Sequence, residues 1–270
     1  MDPIARFEAE CHDEITALGH DERAKALSRE WIQATLGHHY SYHFTIFGRP
    51  IIQFPQDMVA IQELIWKIRP TVIVETGIAH GGSLLLSAGM LALLDYTDAV
   101  EAGGVFDVRA SRRRVIGVDI EVRPHNRKAI EAHPLSHKIR IIEGSSVASD
   151  VVDAVRADIT PEDTVLVFLD SNHTHAHVLA ELEAYASLTS KGSYCVVFDT
   201  IIEDLPAGLY PERDWDVGNN PKTAVHEYLE KISRNAPLDA QGQPVGFEID
   251  RSLEDKLLIT VAPDGYLRRV

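Results

Sequence analysis

The sequence has 270 residues, 45% of them hydrophobic, enough for one large domain or one domain with an appendage. Its net charge is −15 and no basic block occurs, which argues against nucleic acid and against anionic membrane surfaces, since both need clustered Lys and Arg. Two cysteines, Cys11 and Cys195, provide no disulfide framework, and the opening Met-Asp-Pro-Ile-Ala-Arg lacks a signal-peptide pattern, so the expected setting is the cytoplasm.

Residues 1–57 read as a helical and aromatic extension, serving the substrate side or oligomerisation. Helical periodicity runs to about Leu36, and Gly37 is a plausible stop. The patch His38-His-Tyr-Ser-Tyr-His-Phe44 follows, with Tyr40, Tyr42 and Phe44 open to an acceptor pocket or an interface. The remainder, 58–270, reads as one Rossmann-like domain. Met58, Ile61, Leu64 and Ile65 describe one helix face. Strands are predicted at 71–75, 114–119, 138–143, 164–169, 193–198, 245–249 and 256–262, and helices at 82–94, 124–132, 147–157, 175–187 and 221–232. Asn220 and Pro221 suit the start of the last helix. The apolar run Leu84–Leu94 is too short to span a bilayer.

Val165-Leu-Val-Phe-Leu169 and Tyr194-Cys-Val-Val-Phe198 are continuous apolar runs, as in a parallel sheet covered on both faces. Lys138-Ile-Arg-Ile-Ile142 alternates and reads as an edge strand. The last strand, 257–261, is expected to form an antiparallel hairpin with 245–249, and Pro263-Asp-Gly265 to turn the tail back. The fold class is therefore α/β: a doubly wound, mostly parallel seven-stranded sheet with helices on both faces and an antiparallel C-terminal hairpin. Ligands of such sheets bind beyond the carboxyl ends of the strands.

The strand ends carry the chemistry. The first runs into Glu75-Thr-Gly-Ile-Ala-His-Gly-Gly-Ser83, an acid and a glycine bend before a helix. A phosphate-binding loop presents amides and often a lysine. A carboxylate suits a cation instead, such as the amino group and sulfonium of S-adenosylmethionine; the alternative is an ordinary strand-to-helix turn. The second strand ends at Asp119, suited to ribose hydroxyls or else a solvated loop acid. The third ends at Gly144-Ser-Ser146, small polar residues able to flank an adenine edge. The fourth ends in Asp170-Ser-Asn-His173-Thr-His175 and the fifth in Asp199-Thr200. Asp170 and Asp199 should share a rim and invite a hard divalent cation such as Mg²⁺, unless they only cap helices. His173, His175 and His177 alternate like a zinc set, but a helix start there would make them diverge. His173 is the candidate general base. The segment 201–219 lacks periodicity and reads as a substrate-covering loop.

Together these residues resemble the class I S-adenosylmethionine-dependent methyltransferases. Within them the chain is similar to the family known as cephalosporin hydroxylase or rhamnosyl O-methyltransferase. The resemblance runs from about Phe47 to Val270. Its pieces are Gly48-Arg-Pro-Ile-Ile-Gln-Phe-Pro-Gln-Asp57, Glu75–Gly82, Leu169-Asp-Ser-Asn-His173, Val197-Phe-Asp-Thr200 and Gly218-Asn-Asn-Pro-Lys-Thr-Ala224. It implies S-adenosylmethionine, Mg²⁺ and methyl transfer to a hydroxyl of a small molecule, a sugar or a glycosylated natural product, by a homo-oligomer. Carried over by position, Glu75, Gly77, Gly81 and Ser83 would hold the methionine end, Asp119 the ribose and Ser146 the adenine side. Asp170 and Asp199 would be metal ligands, with Asp170 and His173 serving catalysis. One departure stands out: the family's acid before the last metal-binding Asp is here Phe198. Either Thr200, Glu203 or Asp204 compensates, waters fill in, or the metal is weak or absent. The competing readings are a nicotinamide-dependent oxidoreductase, a metal-dependent hydroxylase and a non-catalytic S-adenosylmethionine-binding subunit.

Overall fold

In the computed structural model, which describes residues 2–270, the chain opens with α1 (Pro3–Gly19) and α2 (Glu22–Leu36). Asp21 starts the second helix by accepting from the amides of Arg23 and Ala24, at 2.9 and 3.0 Å. A small antiparallel hairpin follows, β1 (Phe44–Ile46) with β2 (Arg49–Ile51). Its strands are too short to leave a periodic signal. Next come α3 (Pro55–Ile68), β3 (Val72–Thr76), α4 (Gly82–Glu101), β4 (Arg114–Asp119), α5 (Pro124–Glu131) and β5 (Ile139–Glu143). The chain continues through α6 (Ser149–Ala157), β6 (Val165–Leu169), α7 (His175–Tyr185), β7 (Tyr194–Val197), α8 (Pro221–Asn235), β8 (Phe247–Ile249), α9 (Arg251–Leu257) and β9 (Tyr266–Arg269).

The large sheet has the order β5-β4-β3-β6-β7-β9-β8. The first five strands in that order are parallel, while β9 runs antiparallel to both β7 and β8. Every residue of β3, β6 and β7 is buried, which is why their sequences are apolar without alternation. Ile73 packs into the core shared with α3 and α4, whereas Val72 and Val74 pack into the opposite core with α7 and α8. The edge position predicted for 138–143 is that of β5, whose burial alternates.

Two elements differ from expectation. The helix predicted at 82–94 continues to Glu101, so it has 20 residues and the length and apolar composition to cross a bilayer. It is instead a core helix, with Leu84, Leu85, Leu91 and Leu94 fully buried. Its extension is anchored by Arg113, which bonds Asp95 and Asp98 at 2.8 and 2.7 Å, and by Lys138 paired with Asp95. These partners lie outside the helix, beyond the reach of local periodicity.

The strand predicted at 256–262 does not form. Asp250 caps α9 by accepting from Leu253 N at 3.1 Å, so residues 251–257 are helical. The residues after it are captured by Asp57, at the start of α3. Its carboxylate accepts from Thr260 Oγ1 at 2.5 Å, Val261 N at 3.0 Å and Tyr266 Oη at 2.7 Å. A carboxylate has thus taken the donors a strand would use. The supposed return turn, 263–265, leads into the true last strand, β9. The C-terminal antiparallel pair exists, but its members are 247–249 and 266–269. Asp57 is fully buried, so Asp57→Ala strands three buried donors and lowers stability by about 3–5 kcal/mol in urea unfolding. A loss under about 1 kcal/mol would mean that water replaces the carboxylate.

Candidate active site

The carboxyl ends of β3, β4, β6 and β7 form one rim. Because β8 runs back toward this rim and β9 leaves it, α9 and the 258–265 loop also lie there. Gly77 follows β3 with φ +88° and a Cβ there would overlap the Asp170 carbonyl oxygen. The glycine turn and the end of β6 are therefore in direct backbone contact. Gly81 (φ +83°) begins α4, and Ser83 in its first turn donates to Glu75. Burial pushes Glu75 up to about 8, against the lowering effect of the Ser83 bond. Its second oxygen, Oε2, is buried without a protein partner.

The turn is pinned from two sides. Arg49 donates from Nε and Nη2 to the His80 carbonyl at 3.0 and 2.8 Å, and from Nη2 to Asn126 Oδ1 at 2.7 Å. Asn126 in turn donates to the Ala79 carbonyl at 2.9 Å. On the other side Asp119 accepts from the amides of Ile78 and Ala79 through Oδ2, at 2.8 and 3.3 Å, and from Glu121 N through Oδ1 at 3.2 Å. Three of about four carboxylate lone-pair sites are thus occupied, two of them in holding the turn. Arg49 and Asn126 were missed by the sequence reading; the signal for Arg49 was its place in the Gly48-Arg-Pro segment.

Asp170, His173 and Asp199 present ligand atoms all within 4.8 Å of one another. His173 Nε2 lies 3.2 Å from Asp199 Oδ2, and Trp215 from the 201–219 segment stands edge-on to the imidazole, with centroids 5.8 Å apart. Burial, then the negative charge of Asp199, holds the Asp170 carboxyl well above the usual carboxylate range. A cation between the two acids relieves this repulsion, so the donor set fits a divalent ion. Phe198, where an acid was expected, points down into the core against Phe168. Neither acid anticipated as a substitute, Glu203 or Asp204, joins the cluster. Glu203 accepts from Gly218 N at 2.7 Å and from Asn220, Asp204 pairs with Lys222 at 2.5 Å, and Thr200 is fully buried. The third group is the imidazole of His173.

The other histidines leave the cluster as a helix start requires. His175 binds Thr223 Oγ1 and Glu227 Oε2 at 2.8 and 3.0 Å. His177 Nε2 reaches Ser146 Oγ at 3.0 Å and Ser171 Oγ at 3.3 Å, beside the buried Glu181. Ser146 therefore faces a polar network beneath the β5 and β6 ends and is 4% exposed. One opening of about 200 Å³ is lined by Gly77, Ile78, Ser83, Asp170, His173 and Asp199, with Tyr42 on its wall. Tyr40 instead packs edge-on to Trp31 and Phe44. A larger cavity of about 780 Å³ lies elsewhere, between α2, α9 and the segment after Asp199, and is lined by none of Glu75, Gly77, Gly81, Ser83, Asp119, Ser146, Asp170, His173 and Asp199.

This sheet order, with its one reversed strand at the C-terminal end and its glycine turn after β3, defines the class I methyltransferase architecture. Residues 38–270 match the family described as Rhamnosyl O-methyltransferase/CmcI, and the chain belongs to that family. Two relatives named Rhamnosyl O-methyltransferase come from Mycobacterium tuberculosis and Mycobacterium leprae. The first is 26% identical over 215 residues, 79% of this chain and 73% of the relative. The second is 26% identical over 227 residues, 83% of this chain and 82% of the relative. A solved CmcI structure described with Mg and SAM superposes with a TM-score of 0.46 at 18% identity, covering 85% of this chain and 77% of that one.

Proposed function

We propose that the protein is an S-adenosylmethionine-dependent O-methyltransferase acting on a hydroxyl of a sugar or glycosylated small molecule, with a divalent cation such as Mg²⁺ at the acidic cluster. One juxtaposition carries this reading: the glycine turn, with Glu75 buried behind its Ser83, and the Asp170–His173–Asp199 cluster meet at the same opening, lined by Gly77, Ser83 and all three cluster residues. The family and its sugar-modifying members support the choice of reaction and acceptor class.

Ser83, with Glu75 buried behind it as its hydrogen-bond acceptor, would hold the methionine end, and Asp119 the ribose through its remaining lone pair. Asp170 and Asp199 would hold the cation. When bound, S-adenosylmethionine supplies an electrophilic methyl group and the cation lowers the pKa of a neighbouring hydroxyl. Asp199 Oδ2 fixes the His173 ring through Nε2, leaving Nδ1 to accept the hydroxyl proton. The Asp199 carboxylate then stabilises the imidazolium. Trp215 restricts water at the same ring, so we assign the 201–219 segment as the cover of the site.

Calorimetry with S-adenosylhomocysteine and NAD tests the cofactor; binding of NAD alone overturns the reading. Methyl transfer to a rhamnoside should fall on EDTA treatment and return with Mg²⁺. Stoichiometric iron in protein purified without chelator would favour the hydroxylase reading instead.

The buried acid adds a further expectation. Below about pH 8, Glu75 carries a proton in the free protein. An ammonium group brought against it lowers its pKa, so binding S-adenosylhomocysteine at pH 7 should release about one proton. Binding heats measured in phosphate and in Tris should therefore differ. Equal heats would mean that Glu75 does not face the amine.

A further inference from the structure

Beneath the site, Gln53, Glu75 and Ser87 share a small cavity of about 10 Å³, also lined by Phe168 and Phe198. Each contributes a buried atom without a protein hydrogen-bond partner: Gln53 Oε1, Glu75 Oε2 and Ser87 Oγ. The three residues are 2%, 2% and 1% exposed. An unpaired buried polar atom is destabilising, so three around one small space are not a neutral arrangement. The volume admits the centre of one water, and a buried water needs two to four polar partners.

The chemistry of the three atoms is complementary to that ligand. Gln53 Nε2 points to Asp170 Oδ2 at 3.4 Å, which leaves its Oε1, an acceptor only, for the cavity. Ser87 offers a donor. Glu75 Oε2 accepts when ionised and donates when protonated. A single water satisfies all three in either state. It donates to Gln53, accepts from Ser87, and meets Glu75 with a hydrogen or a lone pair as required. The Gln53 backbone is itself fixed, its amide donating to the Ser41 carbonyl at 3.2 Å.

We propose that this cavity holds one ordered water and that Gln53 is a positioning residue, joining the acid of the glycine turn to Asp170 of the cation cluster through that water. Its functional half rests on the methyltransferase reading; the water itself does not. Filling the amine pocket would then bias the orientation of Asp170, and loading the cluster would bias Glu75. Gln53 thereby gives the Gly48–Asp57 segment a role that its distance in sequence from either acid conceals.

The test combines a crystal structure of the intact protein with a double-mutant cycle. Density for a water within hydrogen-bond distance of Gln53 Oε1, Glu75 and Ser87 is the expected result, and its absence at about 1.5 Å resolution overturns the proposal. Gln53→Met should weaken S-adenosylhomocysteine binding about tenfold and raise the Mg²⁺ needed for half-maximal rate, while Ser87→Ala should weaken binding about threefold. The double variant should bind no more weakly than Gln53→Met alone. Fully additive losses, or a lowered Tm with unchanged affinity and Mg²⁺ dependence, reduce Gln53 to a structural residue and overturn its positioning role. If the wild type binds no S-adenosylhomocysteine, the methyltransferase reading fails and takes the positioning role with it, and the crystallographic water alone decides the rest.

Discussion

His173→Ala is expected to lower kcat for methyl transfer by about 10²–10⁴-fold, the range for loss of a positioned general base, with S-adenosylhomocysteine affinity unchanged. The imidazole sits 3.2 Å from Asp199 and faces the opening that the glycine turn lines, so it is placed to act on an acceptor rather than on the cofactor. Stopped assays across a Mg²⁺ series separate the two roles this geometry allows. If saturating Mg²⁺ restores the rate, His173 serves the cation and is not the base. If the rate stays low at every Mg²⁺ concentration, the proton-acceptor role stands. Asp199→Asn is the companion variant: it keeps the shape but removes the charge that supports an imidazolium, so the rate should fall in parallel.

The second large effect is expected at Gly77. Its φ of +88° disfavours any L side chain, by about 1–2 kcal/mol, and the added methyl would in addition overlap the Asp170 carbonyl. Gly77→Ala should therefore separate the glycine turn from the end of β6, weaken S-adenosylhomocysteine binding by more than about tenfold and lower stability together. Gly192 supplies the control. It has φ +80°, but a Cβ added there would meet nothing within 4 Å, so Gly192→Ala bears only the backbone strain. Equal effects of the two substitutions on cofactor binding would show that the contact with Asp170 is unimportant.

Much of this arrangement was legible in the sequence because it is local. Continuous apolar runs at 165–169 and 194–197 reported burial on both faces, and acids at four of the five strand ends reported the rim. The divergence of His173, His175 and His177 followed from helix geometry alone. What escaped was non-local. No pattern near 256–262 announces that a carboxylate at Asp57 will take its backbone and hydroxyl donors. Arg49 and Asn126 hold the glycine turn from positions 31 and 47 residues away from the carbonyls they bond. The sequence shows Phe198 beside Asp199, but only the fold reveals that it faces inward against Phe168 and that an imidazole is the third member of the cluster. The bonds from the amides of Ile78 and Ala79 to Asp119 were also out of sight, because those residues lie about forty positions earlier and reach it through the pairing of β3 with β4.

The Asp57 clasp also has a bearing on how the molecule is made. Its partners Thr260, Val261 and Tyr266 lie more than two hundred positions later in the chain. A ribosome will have synthesised β3, the glycine turn, Asp170 and Asp199 well before it supplies any of those donors. Until then the carboxylate at the head of α3 must stay hydrated, and α3 cannot seat firmly against its neighbours. Completion of the rim is thereby coupled to a segment translated long after its acids, which favours a late, concerted closure over a site that matures strand by strand.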